Sequence, residues 1–183
     1  MKVVAIGGSP RLQGNTNYLI DQALGELASR GVETEKIVLN EYKIGPCQAH
    51  NNCASFSECQ QKDDASWILE KFSQADGVIM ASPVYFGSIS AQIKAFMDRS
   101  FFIYMHNKRP QAKCAGLIAV AGRRGAEETL KELRKFVRSP DIKVLTIAGY
   151  SGRPDADPKS QVELIKQAKD MGRQMAEILT AES

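Results

Sequence analysis

Two hydrophobic periods alternate along the chain. The first period is that of helical stripes, in which apolar residues recur every three or four positions. The second is that of short apolar runs, which lie between these stripes. Five short runs are largely apolar, as in strands buried on both faces of a parallel sheet; these are Lys2–Ile6, Glu33–Leu39, Gly77–Ala81, Cys114–Ala121 and Val144–Ala148. The stripes are Leu19, Ile20, Ala23, Leu24 and Leu27; Ile68, Leu69 and Phe72; Ile93, Phe96, Met97 and Phe101; Leu130, Leu133 and Val137; and Ile165, Ala168, Gly172, Met175 and Leu179.

This alternation of strands and helices predicts the fold class. The 183 residues are a one-domain length, and no repeat, linker or low-complexity segment divides them. We therefore expect a single doubly wound α/β domain over residues 1–183, with helices on both faces of a five-stranded parallel sheet. Ligands of such sheets bind at the carboxyl ends of the strands, beside the topological switch point.

The turn after the first strand is a candidate phosphate site. Residues 7–17 read Gly-Gly-Ser-Pro-Arg-Leu-Gln-Gly-Asn-Thr-Asn. Glycines permit a tight backbone, hydroxyl and amide groups donate hydrogen bonds, and the next helix directs its positive end at an anion. The turn lacks the Lys-Ser or Lys-Thr of a P-loop and the third glycine of a dinucleotide fingerprint. The prediction is a mononucleotide; the alternative is an ordinary strand-to-helix turn.

Two further loops follow the third and fourth strands. Residues 82–88 read Ser-Pro-Val-Tyr-Phe-Gly-Ser, which places two aromatic rings where a flat ligand would lie. Residues 121–127 read Ala-Gly-Arg-Arg-Gly-Ala-Glu, where small residues let the backbone approach a ligand and Arg123 and Arg124 suit an anionic partner. The alternatives are core packing for the aromatic pair and a solvated turn for the arginines.

Composition excludes several classes of partner. The formal net charge is +3, with Lys and Arg scattered among Asp and Glu, so we expect no nucleic-acid partner. No apolar run approaches the roughly 20 residues of a membrane span, and the N-terminus has no signal-peptide layout. We expect a cytoplasmic protein without a membrane partner. Of the four cysteines, three share one loop, which favours a metal or redox site over disulfides.

Together, the motifs Gly-Ser-Pro-Arg-x-x-Gly-Asn-Thr, Ser-Pro-Val-Tyr-Phe-Gly-Ser and Gly-Arg-Arg-Gly-Ala-Glu resemble the flavodoxin-like, NADPH-dependent FMN reductase superfamily. The resemblance covers nearly the whole chain, and the closest branch is that of the iron-sulfur flavoproteins. It implies a flavodoxin-like three-layer sandwich with strand order 2-1-3-4-5. It also implies that the protein binds FMN and takes electrons from NAD(P)H.

The resemblance also implies which residues hold FMN. The phosphate would be held by Ser9, Arg11, Asn15 and Thr16, with Gly14 in the same turn. The isoalloxazine ring would contact Pro83, Val84, Tyr85, Phe86 and Gly87, and would be bordered by Gly122 and Gly125. Ala126 departs from the glycine commonly found there, and its methyl group would crowd the ring or fix the loop.

The cysteine-rich loop at residues 45–62 carries a second candidate site. The resembled branch has the pattern Cys-x2-Cys-x2-Cys with a fourth cysteine a few residues on; Cys47, Cys53 and Cys59 match it, and His50 stands at the second position. Histidine can ligate an iron-sulfur cluster and raises its potential. Three outcomes stay open: a cluster such as [4Fe-4S], a Cys3His zinc site, or no bound group. Cys114 lies in a strand and is predicted to be a buried small hydrophobe.

The predicted function is that of an FMN-dependent oxidoreductase, either an NAD(P)H:flavin or quinone-type reductase or an iron-sulfur flavoprotein that transfers electrons. Its partners would be a small-molecule electron donor or acceptor, or a redox protein. The flavin supplies the chemistry, so no catalytic side chain is needed, and the sequence shows no nucleophile beside a base. The alternatives are a non-enzymatic electron carrier and a redox-sensing binding module.

The stretch from residue 98 to 109 has more aromatic residues than one helix face can bury. We expect it to emerge near the flavin edge and to form a subunit interface or a lid. The resemblance implies a homodimer or homotetramer. His106, in the same stretch, is expected to be exposed.

Overall fold

A parallel five-stranded sheet organises the part of the chain that the structure describes. The structure is a computed structural model, and it describes residues 1–107, 110–137, 139, 141–153 and 156–181. The strand order is β2-β1-β3-β4-β5, all parallel, which confirms the predicted order. The strands are β1 (Lys2–Gly7), β2 (Glu33–Val38), β3 (Gly77–Pro83), β4 (Cys114–Ala121) and β5 (Lys143–Tyr150).

Several strands extend beyond the apolar runs that predicted them. Pro83 at the end of β3 still pairs with Val120, and Tyr150 at the end of β5 pairs with Ala121. Backbone pairing decides where a strand ends, and it does not require an apolar side chain. The carboxyl ends of β1, β3, β4 and β5 therefore meet at one edge.

Helices cover both faces of the sheet, as predicted. One face carries α1 (Asn15–Ser29) and α6 (Val162–Ala181); the other carries α2 (Ala65–Gln74), α3 (Ala91–Arg99) and α5 (Ala126–Phe136). Gly172 lets α6 approach α1 closely, because a Cβ there would collide with the carbonyl oxygen of Ala23. Cys114 is fully buried, as predicted. Short 3₁₀ turns lie at Leu39–Glu41, Cys53–Ser55 and Pro158–Ser160.

The prediction of the third helical stripe was wrong at its last residue, Phe101. The helix breaks at Ser100, whose hydroxyl donates to the carbonyl oxygen of Met97 (2.6 Å), and a short helix α4 (Phe101–Met105) follows. Phe101 therefore leaves the apolar face and is 48% exposed. Within the described residues, no helix combines the length and the apolar character needed to cross a bilayer.

Candidate functional site

The turn after β1 is fixed by its neighbours at the carboxyl edge of the sheet. The N–H of Gly8 donates to the carbonyl of Ala81 (2.8 Å), and the buried hydroxyl of Ser90 donates to the carbonyl of Gly8 (2.8 Å). A Cβ on Gly8 would collide with Ile93 and lie 2.8 Å from the Ser90 hydroxyl oxygen. Gly8 is therefore required by the packing of the turn against the start of α3.

Residues 9–14 wrap around the carbonyl oxygen of Arg11. That oxygen accepts from the N–H of Gly14 (3.0 Å), from Nδ2 of Asn17 (2.9 Å) and from the Ser9 hydroxyl (3.3 Å). Ser9 also accepts from the N–H of Arg11 (3.2 Å) and is only 4% exposed. The turn is thus held by its own hydrogen bonds.

The N-terminus of α1 has the features of an anion site. Its N-cap residue is Gly14, no side-chain cap is found among the described residues, and helix geometry leaves its first N–H groups without intrahelical acceptors. Asn15 and Thr16 are buried there. Nδ2 of Asn15 donates to the carbonyl of Ala156 (3.1 Å), whereas its buried Oδ1 has no hydrogen-bond partner within the described residues.

These features fit the two polar parts of FMN. The uncapped helix end suits a phosphate because its N–H groups and dipole favour negative charge. The unpartnered Oδ1 of Asn15 suits a ligand hydroxyl, since a buried acceptor without a donor is costly.

The loop after β3 projects two aromatic rings outward. The N–H of Val84 donates to the carbonyl of Val120 (2.9 Å), and Tyr85 and Ser88 exchange two backbone hydrogen bonds of 3.0 Å. Phe86 and Gly87 at the tip both have positive φ, 52° and 79°. Tyr85 and Phe86 are exposed, Phe86 completely, so core packing of the aromatic pair is excluded.

The loop after β4 touches the loop after β3. Gly125 has a φ of 97°, and a Cβ there would lie 3.0 Å from both Cα of Gly87 and Cγ1 of Val84. Ala126 is fully buried in the core beneath, so its methyl group fixes the start of α5. Gly122 is half-buried. Arg123 and Arg124 are exposed, as expected of a solvated turn.

The sequence analysis did not identify a hydrogen-bonded pair of side chains beside this loop, Tyr150 and Glu127. The hydroxyl of Tyr150, at the end of β5, donates to the carboxylate of Glu127 in the first turn of α5. This hydrogen bond lowers the pKa of Glu127 and raises the pKa of Tyr150. The signal available in the sequence was a tyrosine that ends the last strand and an acidic residue that starts α5.

The four predicted metal ligands line one small cavity in the cysteine loop. The cavity is about 30 Å³ and includes Cys47, His50, Cys53 and Cys59 in its wall. Cys47 and His50 are exposed, and Cys53 and Cys59 are half-buried. Burial raises the pKa of the Cys53 thiol, and the neighbouring Cys59 and Cys47 add to the shift.

The ligands share a cavity but are not assembled around a metal position. Within the described ranges, no three His, Cys, Asp or Glu side chains are arranged to hold a metal ion. Three thiols and an imidazole are suitable donors for an iron-sulfur cluster or zinc. The donor chemistry therefore fits such a group, provided that the loop rearranges around it.

The base of the cysteine loop is closed by two aspartates. Asp64 accepts from the N–H of Lys43 (2.8 Å) and donates its own N–H to the Lys43 carbonyl (2.9 Å). Asp63 accepts from the N–H groups of Gly45 (2.9 Å) and Ala65 (3.1 Å) and from the Arg99 guanidinium. Burial opposes ionisation of Asp63, but these hydrogen bonds outweigh it and hold its pKa below the ordinary value.

The sequence analysis also did not identify Arg99 as a residue that contacts the cysteine loop. It stands three positions after Phe96 on the apolar face of α3, and it is only 2% exposed. A cation at an apolar stripe position was the signal that could have identified it. Its guanidinium reaches Cys59 in the cysteine loop and Asp63 directly after it.

The expected position of the aromatic stretch was wrong, and so was the expected exposure of His106. Nδ1 of His106 lies 2.8 Å from the carbonyl oxygen of Phe102, and Nε2 lies 2.9 Å from that of Phe56 in the cysteine loop. Helix α4 packs against the turn Cys53–Ser55 because α3 carries the chain away from the phosphate turn. The stretch packs against the part of the cysteine loop around residues 53–56, and its residues 108 and 109 lie outside the described residues.

The fold and the three loops at one sheet edge define a flavodoxin-like nucleotide-binding protein. Residues 1–154 match the model of the NADPH-dependent FMN reductase family, and the chain belongs to that family. It is an FMN-dependent oxidoreductase, as its motifs predicted.

Two curated relatives are named iron-sulfur flavoproteins. One, from Methanocaldococcus jannaschii, is 36% identical to this chain, and the alignment covers 98% of this chain and 97% of the relative. Another, from Archaeoglobus fulgidus, is 35% identical over 97% of this chain and 80% of the relative. Among solved structures, an NAD(P)H:quinone oxidoreductase from Methanothermobacter marburgensis has the same fold, with a TM-score of 0.73, 15% identity and 96% coverage of each chain.

Proposed function

We propose that this chain holds FMN across the carboxyl edge of its sheet and transfers electrons between NAD(P)H and a small-molecule acceptor or a redox protein. The observation that carries the proposal is the uncapped N-terminus of α1 with the unpartnered Oδ1 of Asn15, at the same edge as two touching loops. Bound FMN accepts a hydride and can release electrons singly.

The loops after β1, β3 and β4 would bind different parts of FMN. Ser9, Asn15 and Thr16 hold the phosphate end together with the first N–H groups of α1, and Gly14 keeps the turn tight beside Arg11. Residues 83–87 and the glycines Gly122 and Gly125 form the edge for the ring. Backbone groups at this edge orient the flavin, and no side chain is required as a nucleophile or an acid.

We also propose that the cysteine loop binds an iron-sulfur cluster through Cys47, His50, Cys53 and Cys59. The shared cavity and the names of the two relatives support this proposal. Zinc in the same ligand set and a loop without any bound group are the competing outcomes.

A homodimer or homotetramer stays a prediction. The fully exposed Phe86 at the edge of the flavin site supports an interface at that edge. Light scattering of the FMN-loaded protein measures the oligomeric state, and a monomer would contradict this part of the proposal.

Anaerobic purification followed by a visible spectrum tests the proposed function. We expect equimolar flavin that bleaches rapidly on addition of NADPH or NADH, and iron in the same sample. Flavin that neither cofactor bleaches would indicate a non-enzymatic carrier. Zinc without iron, or neither metal after anaerobic reconstitution, would refute the cluster and leave the flavin site standing.

A further inference from the structure

We propose that Arg99 is the positioning residue of the cysteine loop, and that its guanidinium donates a hydrogen bond to the ligand sulfur of Cys59 and thereby raises the potential of the bound cluster. This inference rests on the proposed cluster in that loop.

Arg99 is buried because it is paired on several sides. Its side chain is 2% exposed, and that of Asp63, its ion-pair partner, is 10% exposed. A buried charge is tolerated only when paired and hydrogen-bonded. The pair therefore needs both members, and the helix that carries Arg99 is tied to the loop that carries Asp63.

The guanidinium joins the two ends of the loop to a sulfur inside it. Nη1 donates to the carboxylate of Asp63 and to the carbonyl of Gly45 (3.2 Å). Nη2 lies 3.4 Å from Sγ of Cys59 and 3.4 Å from the carbonyl oxygen of Gln61. A lysine ammonium cannot reproduce this planar fork of donors.

Helix α3 also connects the cysteine loop to the phosphate turn, residues 7–17. At the start of α3, the hydroxyl of Ser90 donates to the carbonyl of Gly8 (2.8 Å). At its other end, Arg99 holds the cysteine loop, and nine helical residues rise only about 14 Å. Arg99 therefore links Cys59 to the end of α3, about one helix length from the phosphate turn.

A donor at a ligand sulfur has a defined redox effect. Reduction makes a cluster more negative, and a hydrogen bond from a cation to a ligating sulfur stabilises the reduced form. Such outer partners also contribute to metal affinity, and their loss costs about 10- to 100-fold.

The test compares Arg99→Lys and Arg99→Gln with the wild type, and Arg173→Gln serves as the control for loss of a paired arginine on the surface of α6. We expect iron affinity to fall about 10- to 100-fold in the Arg99 variants, with unchanged FMN content. The cluster potential should fall from wild type to Lys to Gln, while the flavin potential stays constant. Arg173→Gln should match the wild type in every measurement.

Three results decide against the proposal. Unchanged iron affinity and potential in both variants would overturn it. So would reduced iron content with an unshifted potential, because Arg99 would then only support folding. If Arg99→Gln loses FMN through misfolding, Arg99→Lys, which keeps a positive charge beside Asp63, decides, and an unshifted cluster potential in that variant is the third adverse result.

A wild type that binds no cluster refutes the proposed cluster separately. Arg99 is then judged by hydrogen exchange of residues 45–62 in the cluster-free protein. Faster exchange in Arg99→Lys than in Arg173→Gln supports the positioning role, and equal exchange overturns it.

Discussion

The phosphate turn and the cysteine loop lie at opposite ends of α3 and are built in different ways. The phosphate turn is packed at its base, with Gly8 against α3 and Ser9 only 4% exposed, while Arg11, Leu12 and Gln13 at its tip are exposed. The cysteine loop is fixed at its base by Asp63, Asp64 and Arg99, while most of its residues are solvent-exposed.

The difference reflects the two kinds of ligand. An anion is held by backbone N–H groups, which must already point at it, so the turn is built before the ligand arrives. A metal group supplies much of the order of its own site, because ligand binding and local folding are coupled. The structure therefore fits one proposed site that is preformed and a second proposed site whose ends are assembled but whose ligands are not.

The largest effect that separates the two regions should come from a matched pair of glycine substitutions. Gly8→Ala places a methyl group against Ile93 and Ser90, which are buried, and we expect a loss of about 3 kcal/mol in the free energy of unfolding. Gly45→Ala meets only the end of the flexible Gln61 side chain and should cost less than about 1 kcal/mol. Urea denaturation measures both, and equal losses would remove the distinction.

Charge at the phosphate turn gives the next largest effect. Asn15→Asp keeps the shape of the side chain but places a carboxylate beside the proposed position of the FMN phosphate, so the FMN dissociation constant should rise about 100-fold. Gln174→Glu makes the same change on the exposed side of α6 and should leave FMN binding unaltered. Fluorescence titration with FMN measures both constants. An unchanged constant for Asn15→Asp would place the phosphate elsewhere.

Backbone strain sharpens the comparison further. Phe86 at the flavin edge and Ala49 in the cysteine loop both have positive φ, 52° and 50°. Phe86→Gly should be about 1 kcal/mol more stable than Phe86→Ala, because glycine accepts this conformation without a Cβ penalty. Ala49→Gly should gain less, since two backbone hydrogen bonds between Tyr85 and Ser88 close the tip at Phe86, whereas the segment around Ala49 is exposed and can relax. Thermal denaturation measures the differences, and a larger gain at Ala49 would show that the cysteine loop is the more rigid region.

The smallest effect is the response of the cysteine loop to acid. The pKa of Asp63 is lowered in the folded protein, so its contribution to stability is complete above its unfolded pKa and is lost as the pH falls through the folded value. Hydrogen exchange of residues 45–62 should therefore accelerate at acidic pH relative to that of α1. Asp63→Asn should remove this acid dependence, and its persistence in that variant would assign it to another group.

Sequence patterns predicted the sheet well because buried parallel strands require continuous apolar runs. All five strands were found, and the stripes of α1, α2 and α5 are buried as expected. The strand order is the one that the family resemblance implied. The motif of residues 7–17 also identified the turn that the fold places at the switch point. Phe101 was misplaced because the break at Ser100 depends on local hydrogen bonding, which periodicity does not reveal.

The sequence by itself determined the strand-helix alternation, the family motifs and the presence of Cys47, His50, Cys53 and Cys59 in one loop, since these are properties of local order. Only the tertiary structure decided that Arg99 ties that loop to α3, that Tyr150 meets Glu127, and that the segment of α4 and His106 packs against the cysteine loop. These contacts join residues 23 or more positions apart. Which distant residues meet is set by packing around the sheet, and no local pattern records it.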